Sequence, residues 1–153
     1  MESPCLTSLM KKVQIISNNL CYGPAPRPNT EIEQHLTITD QGQVWFSRYR
    51  YGNGEERYPL INKEHLRIPE VDAKEILKLA DEVTKIEDDL FATDVGDWEL
   101  TVTDTENKTS RKAGSLIDTD LEPIKKFCAK IRKAMNRKGL FLLDGNWEDE
   151  TCS

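Results

Sequence analysis

Six carboxylates crowd residues 87–99: Glu87, Asp88, Asp89, Asp94, Asp97 and Glu99. Three chemistries suit so dense a group: chelation of a hard cation, an acid/base pair, or mimicry of phosphates in the basic groove of another protein. The EF-hand order is missing, because Gly96 is followed by Asp97 and Trp98. The plainer reading is a solubilising loop after a helix, with Asp94 and Asp97 framing a turn at Gly96. A metal-dependent enzyme built on the 94–99 carboxylates stays an alternative.

A second constellation is basic. Lys126, Lys130, Lys133 and Arg137 recur at helical spacing and share one stripe, with Lys125 and Lys138 beside it. Such a stripe suits nucleic acid, nucleotide phosphates or an acidic protein. The plainer reading is a solvated helix face, its cations favoured near the C-terminal end by the helix dipole. The third constellation is Val44–Tyr51, which interleaves aromatic residues with Arg48 and Arg50. On an open sheet Trp45, Tyr49 and Tyr51 would make a stacking platform for bases or a protein-binding patch. Strand alternation sends both arginines to the opposite face, which weakens the nucleic-acid version.

Catalytic signatures are missing. His35 and His65 accompany no nucleophile motif, and no GxSxG, P-loop, GxGxxG or HExxH occurs. Cys5, Cys21, Cys128 and Cys152 form no CxxC pair, so no zinc site announces itself, and reduced thiols in a cytosolic protein are expected. Cys128 falls on an apolar helical stripe, where a thiol acts as a small hydrophobe. No cofactor is called for.

The elements that must position these groups follow from periodicity. Lys12–Ser17 reads as a strand, and Gly23–Pro28, with three prolines, as an extended connector. Gln34–Thr39 alternates and runs into Thr39-Asp40-Gln41-Gly42, a type I turn with glycine in the left-handed position. That turn opposes Ile38 to Val44 and Leu36 to Phe46, placing these four on the core face. His35, Thr37, Trp45, Ser47, Tyr49 and Tyr51 fall on the other. A short strand Glu64–Ile68 follows. Helices are expected after capping boxes at Asp72 and Thr119, the second stopped by Gly139. Between them Trp98–Thr103 and Thr109–Leu116 read as strands joined by a turn at Asp104–Asn107, and Leu140–Leu143 reads as a short buried strand. Leu36-Thr37-Ile38-Thr39-Asp40 is echoed by Leu100-Thr101-Val102-Thr103-Asp104.

The expected fold class is therefore α+β: a mainly antiparallel sheet of five to seven strands with two helices packed on it. Residues 1–31 read as an extension and connector, 32–146 as a single domain and 147–153 as an acidic tail. With 153 residues, one core is the natural partition. The longest apolar run, Leu140–Leu143, is far below a membrane span, and the N-terminal charge follows the apolar residues, the reverse of a secretory signal. A cytoplasmic location is expected.

The formal net charge of −6 conceals a strong asymmetry. Residues 70–106 carry 3 basic and 13 acidic groups, net −10, and residues 107–139 carry 10 and 3, net +7.

VWFSRYRYGNG, then ATDVGDWELTVTDTENK, then GSL before the second helix, then LFLLDGN, resembles short single-domain α+β proteins of Gram-positive bacteria and their mobile elements, over roughly residues 32–146. The resemblance implies a bacterial, intracellular origin and carries over no catalytic residue. The expected function is a non-enzymatic interaction protein of inhibitor or immunity type. Its protein-binding candidates are Glu87, Asp88, Asp89, Asp94, Asp97, Trp45, Tyr49 and Tyr51. The alternative binds nucleic acid or nucleotide through Lys126, Lys130, Lys133 and Arg137.

Overall fold

The computed structural model describes residues 9–20, 24–54, 57–93, 95–117, 119–137 and 139–145. Strands β1 (Met10–Asn18), β2 (Glu31–Thr39), β3 (Gln43–Arg50) and β4 (Leu60–Arg67) precede helix α1 (Glu70–Thr84). Strands β5 (Asp97–Asp104) and β6 (Thr109–Ser115) and helix α2 (Glu122–Met135) follow. The six strands form one open antiparallel sheet in the order β4-β3-β2-β1-β5-β6. This is the expected α+β architecture.

The β2–β3 hairpin has the expected register, with Ile38 opposite Val44 and Leu36 opposite Phe46. Its turn requires glycine twice over. Gly42 has φ +87°, and a Cβ there would stand 2.2 Å from the Ile68 carbonyl oxygen. Strand β1 lies at the centre of the sheet, so the sheet includes Met10–Asn18 from the stretch read as an extension. The sequence echo acquires a structural meaning there. Leu36 and Leu100 both oppose Ile15, and Ile38 and Val102 both oppose Val13, from the two sides of β1.

Both helices lie on one face of the sheet. Ala73, Ile76, Leu77, Ala80 and Val83 of α1 and Ile124, Phe127, Cys128 and Ile131 of α2 join Val13, Ile15, Leu36, Phe46, Leu100 and Val102 in one buried cluster. Cys128 is a buried free thiol whose pKa is pushed up to about 12, first by burial and then by the Asp144 carboxylate. Among the described residues, no helix is long and apolar enough to cross a membrane.

Several boundaries differ from expectation for local physical reasons. Helix α1 begins at Glu70 behind Pro69, whose φ of −59° starts the turn without a side-chain cap, so Asp72 is not the cap. Helix α2 begins after Leu121, and Thr119 Oγ1 accepts the Leu121 N–H at 3.2 Å instead of closing a capping box. It ends at Met135, ahead of Gly139, because Asn136 takes the left-handed conformation at φ 52°. Strand β4 starts at Leu60, earlier than Glu64. Leu140–Leu143 is buried as expected, but it is not a strand. It lies over the sheet, where the Ser17 hydroxyl donates to the Leu142 carbonyl at 2.6 Å and Gln34 bonds both Gly139 and Phe141.

Candidate functional site

Antiparallel register aligns side chains in rows across the face of the sheet opposite the helices. One row runs His65, Trp45, Thr37, Gln14, Thr101, Arg111. The next runs Lys63, Ser47, His35, Ile16, Glu99, Ala113, and the third includes Leu60, Tyr49, Glu33, Asn18 and Asp97. Among the described residues no helix or strand covers these rows. Trp45 stacks on His65 with ring centroids 4.7 Å apart and planes 6° from parallel, yet remains 45% exposed. His65 Nε2 meets Gln43 Oε1 at 2.5 Å, which fixes the plane of the stack. Tyr49 lies against His35 at 4.7 Å, and Tyr51 sits just past the end of β3, its ring 6.2 Å from that of Tyr58. Arg48 turns to the helix side, as alternation requires, with its Nε 3.2 Å from Glu31 Oε2.

Glu33 is the most tightly organised acid on this face. One carboxylate oxygen accepts from the Asn18 amide at 2.9 Å and the other meets His35 Nε2 at 2.6 Å. The hydrogen bond to His35 holds its pKa below the ordinary 4.5, outweighing the opposing effect of burial, with help from Asn18. Glu64, gripped by Arg137, is lowered in the same way. A depressed carboxylate stabilises the fold above its unfolded value, and that contribution is lost as the pH falls through the folded value. Urea unfolding of the wild type is therefore expected to lose stability progressively below about pH 4.5, and E64Q to show a shallower loss over the same range.

The acidic candidates divide. Glu87, Asp88 and Asp89 are exposed on the loop after α1, which Lys112 ties to the sheet by donating to the carbonyls of Ile86 at 2.7 Å and Asp88 at 3.2 Å. Asp94 lies outside the described residues. Asp97 and Glu99 lie on β5, and Glu99 is loosely matched by Arg111 at 3.8 Å. Asp97 and Glu99 share a surface concavity of about 600 Å³ with Glu33, Asn18, Ile16, Leu20 and Ala113, bounded by Tyr58 and Phe91. Gly96 lets this loop close on β1, since a Cβ there would stand 2.1 Å from the Asn18 carbonyl oxygen. Gly96→Ala is expected to destabilise by about 1–3 kcal/mol, measured by chemical denaturation. Among the described residues, no three His, Cys, Asp or Glu side chains are grouped to hold a metal ion.

The basic stripe is partly consumed by the fold. Lys130 Nζ lies 3.0 Å from Asp72 and 3.2 Å from Glu75 of α1, and those hydrogen bonds raise its pKa. Arg137 forks onto Glu64 at 2.8 and 2.5 Å above the Phe46 ring, 5.6 Å from its centroid. Lys126 and Lys133 remain exposed. Thus the acids that match the stripe come from α1 and β4.

Sequence reasoning missed Glu33, Asn18, Ile16 and Phe91. Two signals could have found Glu33 and Ile16. The alternation of β2 continues upstream of His35 to Glu33, and Ile15-Ile16 puts an apolar residue on each face of β1.

No protein-family model matches the chain, and no curated protein is detectably similar to it.

Proposed function

We propose that this chain is a non-enzymatic interaction protein that docks a basic protein partner on the helix-free face of its sheet and inhibits it. The observation carrying this reading is the one-sided covering of the sheet, which leaves Trp45 stacked but 45% exposed amid a face bearing Tyr49, Ile16, Glu33, Asp97 and Glu99. Tryptophan and tyrosine presented on rigid strands lose little entropy on binding and dominate interface energetics. The acids Glu33, Asp97 and Glu99 lie at the Asn18 end of this face, where they would steer a positively charged group and make association salt-sensitive. A protein whose own working surface binds nucleic acid presents the matching basic groove. The resemblance to proteins of bacterial mobile elements is compatible with an immunity-type role.

The test is affinity capture from a Gram-positive bacterial host, followed by reconstitution with the purified partner. Wild type is expected to retain the partner, and binding is expected to weaken as salt is raised. Trp45→Ala and the charge reversal Asp97→Lys/Glu99→Lys should each weaken it at least about tenfold. Lys126→Glu/Lys133→Glu on the exposed side of α2 should leave it unchanged. Full retention by Trp45→Ala, or loss confined to the α2 variant, would refute the reading. Low-salt gel shifts with single- and double-stranded DNA and RNA discriminate the nucleic-acid alternative, which predicts a shift abolished by the α2 substitutions.

A further inference from the structure

Resting on that reading, we infer that the concavity at the Asn18 end of the open face takes the side chain of an arginine projecting from the partner. Asn18 lies between Glu33 on β2 and Asp97 on β5, so these two acids stand two strand spacings apart, about 10 Å between their Cα atoms. An inserted side chain would lie over Asn18, between the two carboxylates. Glu99, opposite Ile16 on the same side of the sheet, adds a third carboxylate. Charge compensation is thin: His35 touches Glu33, and Arg111 reaches Glu99 only at 3.8 Å, with the Arg111 side chain largely in solvent.

An independent feature points to an organic occupant in place of a bare cation. Three of the eight exposed large apolar side chains among the described residues line this one concavity: Ile16 at 40%, Leu20 at 38% and Phe91 at 61%. A hydrated metal ion gains nothing from them. The methylene stem of a long basic side chain does, by removing that surface from water. Arginine is favoured over lysine because Tyr58 and Phe91 bound the concavity with aromatic rings. A guanidinium stacks on such rings and forks onto carboxylates, whereas an ammonium is a compact, strongly hydrated point charge. Asn18 and His35 hold Glu33 in place beforehand, which lowers the entropic cost of gripping the guanidinium.

The test is a titration of the full isotopically labelled chain with N-acetyl-arginine amide, followed by amide NMR, with N-acetyl-citrulline amide and N-acetyl-lysine amide in parallel. Arginine amide is expected to shift the Ile16, Asn18, Asp97 and Glu99 signals saturably. Citrulline amide, which has the shape without the charge, should leave them in place. Lysine amide should bind several-fold more weakly. Asp97→Asn/Glu99→Gln, both near the surface and with little at stake for folding, should reduce affinity about tenfold. Equal binding of lysine amide, shifts insensitive to the double substitution, or no saturable shift at these positions would each overturn the inference. Those failures leave the docking face standing so long as Trp45→Ala still releases the partner. Retention of the partner by Trp45→Ala would bring down the docking face itself.

Discussion

Asp144→Ala is expected to cost about 3 kcal/mol, read as a lowered urea midpoint with unchanged slope. Arg132 makes two parallel hydrogen bonds to Asp144, at 3.0 and 2.9 Å, and a third to the Leu140 carbonyl at 2.8 Å. The Asp144 side chain is only 9% exposed and that of Arg132 18%, so the solvent that weakens surface ion pairs is largely excluded. Removing the carboxylate strands a guanidinium whose Nε already lacks a hydrogen-bond partner. The loss therefore combines a broken pair with an uncompensated buried charge. Replacing both partners by apolar residues, Arg132→Met with Asp144→Leu, should recover much of it, because the pair itself gains little over good packing once desolvation is counted. A double variant as unstable as Asp144→Ala would show that the ion pair contributes beyond charge compensation.

Gln34→Leu is expected to destabilise by about 2–4 kcal/mol, equivalent to roughly 5–15 °C in thermal midpoint for a chain of this size. Gln34 is 3% exposed on the helix side of β2. Its Nε2 donates to the Gly139 carbonyl at 2.7 Å and to Glu31 at 2.8 Å, and its Oε1 accepts the Phe141 N–H at 2.8 Å. Leucine fills the space but satisfies none of these groups, and each stranded buried backbone group costs about 1–3 kcal/mol. Ser17, beside Gln34 in the β1–β2 register, does the same for the Leu142 carbonyl. Together Ser17, Gln34 and Arg132 hold the segment Gly139–Asp144 over the sheet. Hydrogen exchange at Phe141 should rise sharply in Gln34→Leu while the β5 amides stay protected. Uniform acceleration throughout the core would instead indicate that this segment unfolds only with the whole domain.

Leu140–Leu143 shows most clearly where local reading stops. Four apolar residues in a row report burial, and burial is what occurs. Whether such a run is a strand depends on where its backbone hydrogen bonds go, and here Gly139, Phe141 and Leu142 find side chains more than 100 residues earlier in the chain. Helix starts failed for a related reason. Asp72 has the residue type and spacing of a cap, but Pro69 begins the helix before it and frees Asp72 to pair with Lys130.

The fold class, the β2–β3 register and the burial of Cys128 on its helical stripe were legible in the amino-acid order alone. Turn chemistry at Thr39–Gly42 and the periods of two and 3.6 residues act between near neighbours. The charge asymmetry and the separation of Trp45 and Tyr49 from Arg48 are equally local. Tertiary structure alone decided that β1 runs between the two echoed strands and that both helices cover the same face. It also decided which charges meet. Lys130 and Arg137 are matched by Asp72, Glu75 and Glu64, whereas Asp97 and Glu99 join Glu33 across β1 in one surface concavity. Those encounters join residues dozens of positions apart, and strand order, which no local preference encodes, is what sets them.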